Sequence, residues 1–418
     1  MESHTKIAVD CVWYLSLMTS QPPILDAVEI IPRRLYWTSL DAPPKRLSDK
    51  VHVFCTDRDL VYEPFAADFG PLNLGMVYRY CRTVSGKLND PSLADHTLIH
   101  YCSRDFGKRS NAAFLVAAYL VIEKELSAAE AWRKFSGIYP PLTPYRDASA
   151  GPCSFQLNLF DCLCGIEKAI RLGWFSMKTF NLAEYEFHEK LENGDLTWIV
   201  PGKFAAFAGP SSSSIDIEGY PASTPEDFVS YFKASGINSV YRLNKPLYDS
   251  RRFSDHGIRV VDLYFVDGSC PPKSVIDKFL NTVEAESGPV AIHCKAGLGR
   301  TGTLIGLYCM KHFAFPARAF IGWNRICRPG SILGPQQQFL CDIEPLMLQL
   351  GEPGNRKYRS EAPLRVELTA VNASSVEDVG QGERLNKAKH SRGSLQHSSS
   401  ASTVGSPGGL FNRLVWNT

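Results

Sequence analysis

The chain has 418 residues, 44% of them hydrophobic and 21% charged, which suits two folded domains of ordinary size plus a tail and excludes a fibrous or wholly disordered chain. Its 45 basic residues nearly cancel 43 acidic ones, so no broad basic surface for a nucleic acid is expected. No apolar run is long enough to cross a bilayer, no secretory leader pattern opens the chain, and the 12 cysteines are expected to be reduced thiols in nucleus or cytoplasm.

In chain order, residues 1–27 read as an extension with a short helix at 11–15 that Pro22-Pro23 interrupts. Residues 28–150 read as an α/β domain. Short β-branched and aromatic runs at 28–31, 35–37, 51–54 and 97–101 predict strands, and apolar periodicity predicts helices at 72–88 and 109–122. The proline-pinned loop 139–147 is expected to lie on a domain seam. Residues 151–180 form the linker, with one long helix over 155–170 that is apolar on several sides and so belongs in the cleft between domains. Cys162 and Cys164 have neither zinc spacing nor histidine neighbours, so neither a metal nor another cofactor is expected.

A second α/β domain occupies 181–350, with strands predicted at 198–200, 204–207, 239–243 and 260–265 and helices at 225–234, 272–284, 301–313, 317–327 and 335–350. Beyond 351 the periodicity fades. The chain there is rich in Ser and Gly, carries nine Lys/Arg against six Asp/Glu, and is expected to be disordered.

The two domains echo each other, for Arg109 to Trp132 and Arg300 to Trp323 are both separated by 23 positions. In the first, Tyr101 follows His100 where Cys294 follows His293 in the second. Cys102 stands one position late and lacks a glycine-rich loop, so it is expected to be structural and residues 28–150 non-catalytic.

The sharpest signal is the run His293-Cys294-Lys295-Ala296-Gly297-Leu298-Gly299-Arg300-Thr301-Gly302 after an apolar strand. A loop of this length, with glycines for its turns, wraps its backbone N–H groups around one dianion, and the helix expected after it adds its positive end. Such a pocket favours a thiolate, so Cys294 is the expected nucleophile toward phosphorus. Arg300 has the fork to grip two phosphoryl oxygens, and Lys295, Ala296, Gly297, Leu298 and Gly299 complete the loop. His293 is expected to hold the loop and Thr301 to donate a hydrogen bond to the thiolate.

An alkoxide leaves phosphorus poorly, so a general acid is needed. Asp267, in the turn after the 260–265 strand, is the expected acid, since a carboxyl beside a phosphate dianion keeps its proton. Gln336 or Gln337 is expected to orient the water that releases the phosphate from sulfur.

These residues carry a resemblance. The loop, with Asp267-Gly268-Ser269, Arg325-Ile326-Cys327-Arg328-Pro329-Gly330-Ser331 and Gly334-Pro335-Gln336-Gln337, resembles the cell-division-cycle-fourteen branch of the dual-specificity protein phosphatases. The first half adds Phe65-Ala66-Ala67-Asp68-Phe69-Gly70-Pro71, Arg146-Asp147-Ala148-Ser149 and Glu192-Asn193-Gly194-Asp195, similar to that family's first domain and linker. The resemblance implies two tandem phosphatase-like domains with catalysis in the second, and phosphoprotein substrates with phosphoserine followed by proline and a basic residue further on. It also implies a role in mitotic exit or cytokinesis, and a location in nucleus, cytoplasm, centrosome, spindle or basal body. For the downstream basic residue the expected partners are Asp147 and Glu186, with residues 139–144 as an apolar wall for the proline. Cys270 replaces the expected threonine after Asp-Gly-Ser. A lipid phosphatase would carry a second lysine where Leu298 stands, and a phosphoprotein-binding pseudophosphatase would not need Cys294, Arg300 and Asp267 together.

Overall fold

The computed structural model describes residues 26–351, except 46, 217 and 218, and residues 380–400. The helix expected at 11–15 and the tail at 352–379 and 401–418 lie outside the described residues.

The first domain is built on a sheet of β1 (Val28–Ile31), β2 (Leu35–Ser39), β3 (Val51–Phe54) and β4 (Thr97–Cys102), in the order β1-β2-β4-β3. β1 is antiparallel to β2, while β2 and β3 flank β4 in parallel, so the chain needs a crossover between β3 and β4. Helix α1 (Leu74–Asn89) supplies it, starting two residues later than the apolar pattern suggests because the Asn73 side chain accepts from the Met76 N–H and fixes the cap. Helix α2 (Phe106–Glu123) starts three residues earlier than expected, since Asp105 caps it by accepting from Lys108. Helix α3 (Ala128–Arg133), closed by a Ser127–Glu130 capping box, is too short for its periodicity to register in the sequence.

The linker helix is α4 (Leu159–Arg171), shorter than expected because Asn158 and Asp161 cap its start. The second domain then runs α5 (Leu182–His188), β5 (Leu196–Val200), β6 (Phe204–Phe207), α6 (Pro225–Ala234), β7 (Ser239–Arg242), α7 (Arg251–Ser254), β8 (Arg259–Asp262), α8 (Lys273–Glu284), β9 (Val290–His293), α9 (Gly299–Phe313), α10 (Ala317–Cys327) and α11 (Pro335–Gly351). Its sheet order is β5-β6-β9-β7-β8, with only β5 antiparallel. The pattern repeats that of the first sheet with one strand added. In each sheet the central strand carries a buried histidine at the corresponding register, His100 opposite Phe54 and His293 opposite Arg242. β8 ends at Asp262, short of the expected 265, because the Phe265 carbonyl is taken by Arg300 and the chain bends away to form the floor of a site.

The domains share one hydrophobic core, which runs from Leu35 and Trp37 through Leu163 and Ile166 of α4 to Trp323 and Leu340. Glycines let α4 and α10 cross closely: a Cβ on Gly165 would stand 2.5 Å from the Ala319 carbonyl, and one on Gly322 2.9 Å from Cys162 Cα. Arg318 binds Asp161 across the same crossing. A further helix, α12 (Gln381–Ser400), forms where a disordered tail was expected, and its first turns lie on the second domain.

Candidate active site

β9 delivers Cys294 to the centre of the second sheet's carboxyl edge, and α9 begins only five residues later at Gly299. The intervening loop is tight for a physical reason. Gly297 has φ of 65°, and a Cβ there would sit 2.0 Å from the Phe207 carbonyl, so only glycine closes this turn. Cys294 is buried. His293 spans the strand end as expected, with Nδ1 3.0 Å from the Cys294 carbonyl and Nε2 2.8 Å from the Tyr248 hydroxyl. Burial pushes its imidazole down to about 3, so it holds the loop as a neutral ring.

Arg300 is 3% exposed, and its fork is fixed on one side. Nη1 donates to the Phe265 carbonyl at 3.0 Å and the Leu243 carbonyl at 3.3 Å, and Nη2 lies 3.1 Å from Asp267 Oδ1. Its Nε is buried with no hydrogen-bond partner, a donor that an anion in the loop would satisfy. Asp267, also buried, is therefore brought to Arg300 as the sequence reading required.

Two of the expected supporting roles change. Thr301 Oγ1 is buried without a hydrogen-bond partner, so the bond expected to the Cys294 thiolate is absent here. Gln337 faces away from the loop, with its amide bound to Asp147 and Arg325. Gln336 alone joins the two loops: its Nε2 donates to the Ser269 carbonyl at 3.0 Å, and its Oε1 lies where a Cβ on Gly299 would meet it at 2.7 Å. Cys270 is half-buried, and burial pushes its thiol up to about 11, which keeps it protonated near neutrality.

Both expected substrate-selecting acids are also engaged elsewhere. Asp147 is buried in the seam, accepting from the Gly334 N–H, Gln337 and the Ser149 hydroxyl; desolvation opposes its ionisation, but these bonds and Arg325 outweigh it and hold its carboxyl below the usual range. Glu186 forms a bidentate pair with Arg79, both contacts 2.6 Å, that ties α5 to α1. Nor do residues 139–144 line the cleft. Their loop packs on α2 through Arg109 and Ser110, with Tyr139 92% exposed.

The residues that do face the seam are different. A cleft of about 450 Å³ runs from Leu298 and Arg328 at the edge of the loop to Asn73 and Met76 of the first domain, and Glu63, Glu189, Glu192 and Asp195 line it. Phe65 of the first domain closes its upper end, packing with Leu298, Leu333 and Ala148. The sequence did signal this acid cluster, as Glu189-Lys190-Leu191-Glu192-Asn193-Gly194-Asp195, but not which face it would occupy. Helix α12 lies over the same region: the Gly382 N–H donates to Asp267 Oδ2 at 2.6 Å, Leu385 joins the Phe65 cluster, and Lys389 binds Asp195 and the Ala296 carbonyl.

The first domain's counterpart of the loop is closed to an anion. The Ser103 N–H is taken by Asp57 Oδ2 at 2.8 Å and the first turn of α2 by Asp105, which places two carboxylates where a phosphate would need donors. Cys102 is fully buried, and burial pushes its thiol up, as a structural cysteine requires.

Among known proteins, a family model described as dual specificity protein phosphatase, N-terminal half, matches residues 29–169, and one described as polymorphic toxin system, DSP-PTPase phosphatase, matches residues 218–314. Dual specificity protein phosphatase CDC14A of Mus musculus is 46% identical over 365 residues, covering 87% of this chain and 60% of the relative. CDC14B of Mus musculus is 44% identical over 83% of this chain and 71% of its own length, and CDC14C of Homo sapiens is 46% identical over 73% and 68%. The chain spans about three fifths of the length of the CDC14A relatives. Agreement across most of this chain, in a molecule with tandem sheets and one glycine-turned cysteine loop, places it in the CDC14 family of dual specificity protein phosphatases.

Proposed function

We propose that this chain hydrolyses phosphoserine, phosphothreonine and phosphotyrosine in proteins through a cysteinyl-phosphate intermediate in the second domain. The observation that carries the reading is the unpartnered, buried Nε of Arg300 at the end of the loop that Cys294 opens, with Asp267 on Nη2 of the same guanidinium. Cys294 Sγ attacks phosphorus, Arg300 and the loop amides take the equatorial oxygens, and Asp267 gives its proton to the leaving oxygen as the P–O bond breaks. Water then attacks the cysteinyl-phosphate, losing a proton to Asp267 while sulfur leaves as thiolate. Gln336, which touches both the acid turn and the phosphate loop, is the residue suited to hold that water.

Substrate choice follows from the cleft. Leu298 and Phe65 offer an apolar wall beside the loop, suited to a proline after the phosphoserine. The carboxylates of Glu63, Glu189, Glu192 and Asp195 suit a lysine or arginine further along, and Lys389 of α12 already places an ammonium there. Such sites are those left by proline-directed, cyclin-dependent kinases, which fits a role in cell-cycle exit or cytokinesis in nucleus, cytoplasm or on mitotic structures.

Leaving-group dependence tests the acid. Asp267→Ala is expected to slow alkyl phosphates by about 10²–10⁴-fold and a nitrophenyl phosphate far less, while Cys294→Ser abolishes turnover yet binds phosphopeptide. Equal slowing of both substrate types by Asp267→Ala would remove it from the mechanism. Turnover surviving Cys294→Ser would refute the covalent path.

A further inference from the structure

The guanidinium of Arg328 is 3% exposed, yet it joins the phosphate loop to the acidic cleft. Nε donates to the Gly297 carbonyl at 2.8 Å and Nη2 to the Ala296 carbonyl at 3.1 Å. Nη1 donates to the Asp195 carbonyl at 2.8 Å and makes an ion pair of the same length with Asp195 Oδ1. A fifth contact, to Thr197 Oγ1 at 3.4 Å, keeps the plane of the fork against β5.

A trans peptide points its carbonyl and its N–H in opposite directions. Holding the Ala296 and Gly297 carbonyls outward therefore turns the Gly297 and Leu298 N–H groups toward the interior of the loop, where a phosphoryl group would lie. At its other arm the ion pair occupies Asp195 Oδ1, and it is Oδ2 that meets the Lys389 ammonium. One side chain thus orients two anion-binding amides and one cation-binding carboxylate.

We infer that Arg328 is a positioning residue for both recognition events: it presets the phosphate loop, and it aims Asp195 at the substrate's downstream basic residue. The second half rests on the proposed reading of the acidic cleft; the first does not. Lysine cannot replace it fully, because a single ammonium cannot reach both loop carbonyls and Asp195 in one plane. Methionine would match its apolar stem but take the guanidinium donor from the Gly297 carbonyl, and leave the Ala296 carbonyl and the buried Asp195 carboxylate to Lys389.

The experiment uses the full chain with Arg328→Lys, Arg328→Met and Asp195→Asn. Folding is followed by circular dichroism, and inorganic phosphate is the probe, as competitive inhibitor of nitrophenyl phosphate hydrolysis. Arg328→Met is expected to weaken inhibition by phosphate about thirtyfold or more and Arg328→Lys by roughly three- to tenfold, a graded rescue that general loss of stability would not give. Both are expected to bring the rate ratio between phosphoserine-proline peptides with lysine and with alanine at the third following position toward one. A folded Arg328→Met that phosphate inhibits as it does the parent overturns the assignment. If that variant does not fold, Arg328→Lys decides, and unchanged inhibition by phosphate there overturns it equally. A peptide ratio unaffected by Asp195→Asn would instead sink the reading of the cleft, leaving the loop role to be judged on phosphate alone.

Discussion

Glu189 shows how burial tunes one carboxyl in the cleft. Desolvation pushes it up to about 7 from an ordinary 4.5, against the opposing hydrogen bonds of Tyr185 and Asn73, and repulsion from Glu186 and Asp195 adds to the rise. A cationic substrate residue gains from the anion and not from the acid. Preference for a downstream lysine over alanine is therefore expected to rise roughly two- to fivefold between pH 6 and 8, and Glu189→Gln to flatten that rise. Steady-state rates on the two peptides across that range check it; a ratio that falls with pH would contradict it. Stability has the opposite sign, because the folded protein holds this proton more tightly than the unfolded chain and so loses stability as pH climbs from 4.5 toward 7. At this scale Cys294, Arg300 and Asp267 were legible because their chemistry is local to a loop and a strand end. Glu186 and Glu189 were not separable, although they share one short stretch, because what distinguishes them is Arg79, 107 positions away from Glu186. Asp147 misled for the same reason, as its partners at Gly334 and Gln337 are remote in sequence.

Among the helices, the longer ones declared themselves: α6 and α10 fall where periodicity puts them. The short α3, α5 and α7 did not, since four to seven residues hold too few turns for a repeat to register. Helix α12 was hidden more deeply. Its sequence is polar on every side, and what orders its first turns is contact with Asp267, Asp195 and the Phe65 cluster, supplied by other parts of the chain. Because Lys389 sits where a substrate's basic residue is proposed to bind, the helix is expected to compete with such substrates at a high local concentration. Ending the chain at residue 379 is expected to lower KM several-fold for phosphoserine-proline peptides with a downstream lysine, and much less for a nitrophenyl phosphate. Lys389→Glu in the full chain should act in the same direction. An unchanged KM for the lysine peptide in both would show that the helix does not compete.

For the molecule as a whole, the tandem α/β plan could be read from alternating strands and helices and from the repeated 23-residue interval, whereas the single shared core could not. Continuity of packing from Trp37 to Leu340 depends on the angle and closeness of helices, which composition does not encode. The first domain's loop is filled by its own carboxylates, while its Phe65 lines the cleft and packs with Leu298. Packing between the domains runs through α4 and α10, which touch at Gly165 and Gly322. A methyl group at Gly165 meets main chain at 2.5 Å, so Gly165→Ala must part the two helices. KM for phosphopeptides is expected to rise at least about fivefold, with kcat on nitrophenyl phosphate within about twofold of the parent. Matched changes on both substrates would mean that the second domain is distorted instead. If the peptide effect dominates, selection for substrate choice acts on a glycine that never meets a substrate: drift at the crossing would erode which proteins are dephosphorylated long before it eroded the ability to dephosphorylate.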